Sequence, residues 1–128
     1  MITTTIPIEG TFDIAKGRSS MRAHIAVQRW PTVFGARVSA ALTALGELII
    51  AFGSDRVIIV KAEIIYGGTN DGVAFEVNLP LMNTDEPRLS QALARLERAT
   101  DTLGMRDIAN ITQIATSVLV IEERTSVL

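Results

Sequence analysis

The sequence predicts an α+β two-layer sandwich, a mixed and mostly antiparallel sheet with about three helices on one face. Runs of β-branched residues alternate with longer segments whose apolar residues recur every three or four positions. Their order, β-α-α-β-β-α-β-β, is that of a largely antiparallel sheet with its helices gathered on one side. With 48% hydrophobic and only 20% charged residues, the chain also has the apolar material for a packed core, which excludes disorder over most of its length. The 128 residues are expected to form a single domain, 1–128.

Ile2 to Ile8 places Ile2, Thr4, Ile6 and Ile8 on one side at period two, and Pro7 assigns this strand to a sheet edge or to its own end. Gly10 breaks it. Thr11 is the expected N-cap of a helix from about Phe12 to Arg29, with Asp13 in the first turn and Trp30-Pro31 as the stop. A second helix runs from just after Pro31 to about Phe52. Phe34, Val38, Leu42, Leu45, Ile49 and Phe52 form its core stripe, and Gly53 ends it. Because Ala40, Ala41, Ala44 and Leu48 widen that stripe, the helix must be covered on most sides.

Arg56 to Tyr66 and Val73 to Leu79 read as strands joined by Gly67-Gly68-Thr69-Asn70-Asp71-Gly72, residues that tolerate positive φ in a hairpin connection. Asp85-Glu86-Pro87 opens a third helix whose stripe is Leu89, Leu93, Leu96, Ala99 and Leu103, with Gly104 as its end. Ala109 to Ile114 and Thr116 to Glu122 close the chain as two strand-like runs.

Composition narrows function. Twelve basic against 14 acidic residues give a net charge of −2, which argues against nucleic-acid binding. No cysteine and one histidine, His24, exclude a thiolate site and a multi-histidine metal centre; no metal and no cofactor are expected. The N-terminus has no basic segment leading into an apolar run, and Val38 to Ser54 carries Glu47 in a stretch rich in Ala, Ser and Thr. A buried helix, no membrane association and a cytoplasmic location are the expectations.

Candidate chemistry is sparse. The Gly67–Gly72 loop lacks the Gly-Lys-Ser/Thr ending of a phosphate loop and joins two strands. His24 has no nucleophile motif beside it and reads as structural. Arg18, Arg22 and Arg29, spaced 4 and 7 apart, align on one helix face, either as a solvated surface or as a docking surface for an acidic protein. Glu47 is the most informative residue. A carboxylate in an otherwise uncharged helix costs several kcal/mol if buried and unpaired. It must reach water, pair with an arginine, accept hydrogen bonds or stay protonated, which places it at a cleft, an interface or a helix end. In a cleft it is a candidate general base, without a second carboxylate at recognisable spacing.

The stretch Ala40 to Gly53, with Gly46-Glu47-Leu48 at its centre, resembles the N-box helix of the histidine-kinase-like (GHKL, Bergerat-fold) ATPases, in their anti-sigma-factor and switch-kinase branch. Phe12-Asp13-Ile14-Ala15 with Arg18 and Arg22 resembles that branch's first helix, and Ala115-Thr116-Ser117-Val118 its closing strand. The resemblance implies a Bergerat-like sandwich in which Glu47 is the base position and Glu47 and Thr116 are candidate nucleotide contacts. It also exposes departures. The magnesium-holding Asn position falls on Ala51. Asn78-Leu79-Pro80-Leu81-Met82-Asn83 stands where the family has Asp-x-Gly-x-Gly, and the glycine-rich ATP lid is missing. Without these groups a triphosphate has little to neutralise it.

The function so implied is a non-catalytic regulatory module that has lost ATP binding and contacts a protein: a sigma factor, an anti-sigma antagonist or a phosphorelay component. The alternative is a residual ATPase or protein serine kinase using Glu47. Abundant aliphatic residues in a small domain also predict a homodimer.

Overall fold

A computed structural model describes residues 2–28, 30–53, 55–65, 70–81 and 85–119. The chain runs β1 (Ile2–Pro7), α1 (Thr11–Gln28), α2 (Thr32–Phe52), β2 (Val57–Ile65), β3 (Asn70–Pro80), α3 (Pro87–Ala99), β4 (Thr102–Ile108) and β5 (Ile111–Leu119). One five-stranded sheet has the order β1-β2-β3-β5-β4, and every neighbouring pair is antiparallel. The α+β two-layer architecture is as expected, but the sheet is not mixed. β3 and β4 run the same way across the α3 crossover, yet β5 inserts between them, so no parallel pair is hydrogen-bonded.

Side-chain alternation separates the two faces of the sheet. Val73, Phe75, Val77 and Leu79 of β3 are buried under the helices, together with Ile58, Val60, Ile114 and Val118. Ala74, Glu76 and Asn78 point the other way and are half-buried. α2 is the centre of the helical layer and touches α1, α3 and the sheet. It is the one helix among the described residues long and apolar enough to cross a membrane, and it buries Phe34, Val38, Leu42, Leu45, Leu48 and Ile49 within the domain. Gly46 sets the α1–α2 spacing. A Cβ there would lie 2.5 Å from Ile14 Cγ1.

Several boundaries differ from the sequence-based expectation. Thr11 is the first helical residue of α1, and the start is tied instead by Asp13, whose carboxylate accepts the Glu9 amide at 2.8 Å. Gly53 stops α2 in an extended conformation (φ −69°, ψ 138°), its N–H donating to Ile49 O. β3 begins at Asn70, which pairs with Ile65 of β2, and Gly72 lets the Val118 carbonyl approach to 2.5 Å from where a Cβ would stand. The expected hairpin connection at Gly67–Thr69 lies outside the described residues.

The largest difference is at the end of α3. Pro87 does open the helix, and Glu86 caps it by accepting the Leu89 amide at 2.9 Å. The helix ends at Ala99, however, and Leu103 and Gly104 belong to β4. Thr100 turns extended, its hydroxyl donates to Leu96 O at 2.8 Å, and the Asp101 N–H joins Ser117 O at 2.8 Å. Pairing with β5 outweighs the poor strand propensity of Gly104 and Asp107. The two expected terminal strands are likewise one continuous β5, reached through a tight turn at Ala109-Asn110 in which Ala109 takes φ 53°. Residues 120–122 lie outside the described residues.

β5 outruns β4, so the backbone of Leu119 has no strand on that side. Two side chains take its place. Asp101 Oδ2 accepts the Leu119 N–H at 2.7 Å, and Arg37 donates from one nitrogen to Leu119 O at 2.8 Å and from the other to Asp101 at 2.6 Å. Hydrogen bonds to charged groups contribute about 1.5–3 kcal/mol when shielded. With these side chains about one-quarter exposed, Asp101→Ala is expected to lower stability by about 1–2 kcal/mol in urea denaturation. A loss of only a few tenths would mean the clamp is solvated away.

Candidate functional site

α2 and α3 pack side by side, and their facing side chains leave a hollow of about 380 Å³ lined by Glu47, Ala51, Phe52, Arg88, Gln91 and Arg95. Glu47 sits on the outward side of α2 because its neighbours Leu45, Gly46, Leu48 and Ile49 occupy the core side. Its side chain is 47% exposed, and Arg95 Nη1 donates to its Oε2 at 3.2 Å. Arg88, seven residues before Arg95 and therefore two turns away on the same face, lies over the Phe52 ring at 5.3 Å. Of the solutions open to a lone carboxylate in an apolar helix, Glu47 thus takes two: it reaches water and pairs with an arginine. Such an exposed pair stabilises by about 0.2–1 kcal/mol, so it directs the side chain more than it holds the fold.

The other candidate residues do not gather around Glu47. Thr116 is 3% exposed, faces the helices between Phe75 and Leu103 in register, and its hydroxyl is buried without a hydrogen-bond partner. It lines neither hollow between the helices. Asn78 lies on the sheet face away from the helices, where its amide nitrogen approaches Asp55 at 3.4 Å. Its neighbour Leu79 is wholly buried under them. The end of β3 therefore presents an apolar side chain, and no carboxylate, to the helical layer. No group of three or more acidic or histidine side chains suited to a metal exists among the described residues.

Arg18 and Arg22 line a second and larger hollow, about 630 Å³, between α1 and α2. Its floor is Ile25, Ala26, Gly35, Ala36 and Ala40, and Trp30 forms one wall. Trp30 is held edge to face between His24 (6.0 Å) and Phe34 (5.0 Å), which accounts for His24 as a packing residue. Arg29, the third basic candidate, lies outside the described residues.

By sequence Arg88 and Arg95 belong to the outer face of the third helix, with nothing to link them to Glu47. Their spacing of seven was visible, but only the packing of α3 on α2 turns that face toward Glu47.

No family model and no curated protein sequence matches the chain. Among solved structures, the crystal structure of the RsbU and RsbW domains of Rv1364c from Mycobacterium tuberculosis is similar over 99% of this chain, with a TM-score of 0.66 and 15% identity. The match takes in 35% of that chain's length. At this identity the likeness is one of fold.

Proposed function

We propose that this domain is a regulatory protein-interaction module of the anti-sigma-factor and switch-kinase type whose nucleotide site has lost its chemistry. The observation that carries the reading is the set of residues lining the α2–α3 hollow. The carboxylate at the position of the family's base is bonded to Arg95, and the residue one turn on, where a magnesium ligand would stand, is Ala51. A triphosphate needs a cation and flexible backbone amides around it, and Ala51 offers the cation no ligand. Leu79 at the end of β3 and the absence of Asp-x-Gly-x-Gly from the sequence add support. The fold likeness to the RsbU and RsbW domains supports a place in the same kind of switch, with a sigma factor, an anti-sigma antagonist or a phosphorelay component as partner.

Self-association belongs to this reading. Light scattering coupled to gel filtration is expected to give a dimer mass, and monomer alone at every concentration would remove that element.

Titration with a fluorescent ATP analogue and magnesium tests the loss of chemistry. The expected result is no saturable binding in the micromolar range. Micromolar binding abolished by Glu47→Gln would replace this reading with that of an ATPase or protein kinase using Glu47.

A further inference from the structure

α2 is packed on three sides and open on the fourth. Its outward residues are Val33, Ala36, Ala40, Glu47, Ile50 and Ala51, all exposed, with Val33 at 68%. Glu47 is the only charge among them, and Arg95 already neutralises it. Basic groups border this apolar stripe along both edges: Arg18 and Arg22 on the α1 side and Arg88 on the α3 side, where Arg95 is already paired with Glu47. Among the described residues neither Arg18 nor Arg22 has an acidic partner, and Arg18 Nε is buried with no hydrogen bond at all. Arg18 and Arg22 therefore leave uncompensated positive charge beside the stripe, which favours an acidic partner.

We propose that this face seats an acidic amphipathic helix of a partner protein, its apolar side on the α2 stripe and its carboxylates toward the flanking arginines. This rests on the interaction-module reading above and names the chemistry of the partner.

The shape selects a helix. The groove lies between two long helices, and the small residues Gly35, Ala36, Ser39 and Ala40 along its floor allow a third backbone to come close. A bilayer surface fits less well, because the exposed Glu47–Arg95 ion pair keeps charge in the middle of the stripe. The sign of the charge selects an acidic partner. Exposed ion pairs are individually weak, so the arginines set specificity and encounter rate, whereas the apolar stripe holds the complex.

The probe is a labelled peptide of about 18 residues, long enough to hold a helix, with leucine on one face and glutamate on the other. Binding is read by its anisotropy and by the emission of Trp30, the only tryptophan, which lines the groove. Saturable binding with a Trp30 response is expected, weakened about tenfold or more by Arg18→Glu with Arg22→Glu, and similarly by Ala40→Glu. Arg22 and Ala40 are exposed and Arg18 is half-buried, and unchanged circular dichroism and thermal midpoint establish that the variants fold.

A peptide with lysine in place of glutamate, and one of the same composition without an apolar face, are expected to bind at least about tenfold more weakly. Equal binding of all three peptides overturns the proposal, as does indifference to the substitutions. So does preferential binding to phosphatidylglycerol vesicles. A dimer broken by Ala40→Glu would assign the face to a second copy and overturn it too. If the acidic peptide fails while magnesium-ATP also fails to bind, the α2 assignment falls and the interaction-module reading stands. Nucleotide binding at Glu47 would bring down the latter.

Discussion

Phe75→Ala is expected to lower the stability of the domain by about 3–5 kcal/mol, read from urea denaturation. A domain of this size holds only about 5–15 kcal/mol in all, so the variant sits near the edge of folding. The cause is position as much as size. Phe75 lies in β3, the middle strand of the sheet, is 1% exposed and projects into the layer beneath the helices, with Val60 and Thr116 beside it in register. Strands on both sides keep the backbone from collapsing into the vacated volume, so most of the cavity persists. Phe75→Leu retains most of the apolar volume and is expected to keep a cooperative transition. A loss below about 1 kcal/mol for the alanine variant would place Phe75 outside the packed core.

Gly46→Leu is expected to cost about 3 kcal/mol, the upper end of overpacking penalties. Replacing a mid-helix glycine ordinarily gains about 1 kcal/mol of helix propensity. Here Ile14 Cγ1 and Cδ1 stand 2.5 Å and 2.7 Å from the place a Cβ would take, and Ile14 is itself buried. A larger side chain must therefore part α1 from α2, which also deforms the groove between them. A double-mutant cycle isolates the effect. Gly46→Ala is expected to destabilise the native background, yet to become stabilising after Ile14→Ala removes the atoms it meets. Stabilisation of similar size in both backgrounds would show that α1 does not pack against α2 at this point.

Both variants probe parts of the fold that periodicity makes visible. Pro7 at an edge strand, Trp30-Pro31 between α1 and α2, and Pro87 at the start of α3 are local devices whose physics is contained in a few residues. The α3–β4 boundary is of a different kind. Leu103 continues the helical spacing of Leu96 and Ala99, and pairing with β5, which starts at the bond from Asp101 N–H to Ser117 O, takes the chain out of the helix. The continuity of β5 through Ala115 depends in the same way on partners on both sides.

The candidate site divides along the same line. Glu47 stands out because a charge in an apolar helix requires an explanation within its own segment. Its partner Arg95 is 48 residues away and becomes a neighbour only when α3 docks on α2. Thr116, assigned by resemblance, proves to be a core-facing residue apart from both hollows. Arg18 and Arg22 keep the shared face their spacing predicts, and the structure adds Trp30 and the small residues of α2 to it.

The proposed loss of nucleotide chemistry in the α2–α3 hollow has a direct test. Backbone amide chemical shifts measured during titration with magnesium-ATP test it most directly. The prediction is that the amides of Glu47, Gln91 and Ala92 stay in place at millimolar nucleotide (on the order of 1 mM, where only very weak complexes form). Saturable shifts centred on those three residues, lost in Glu47→Gln, would contradict it.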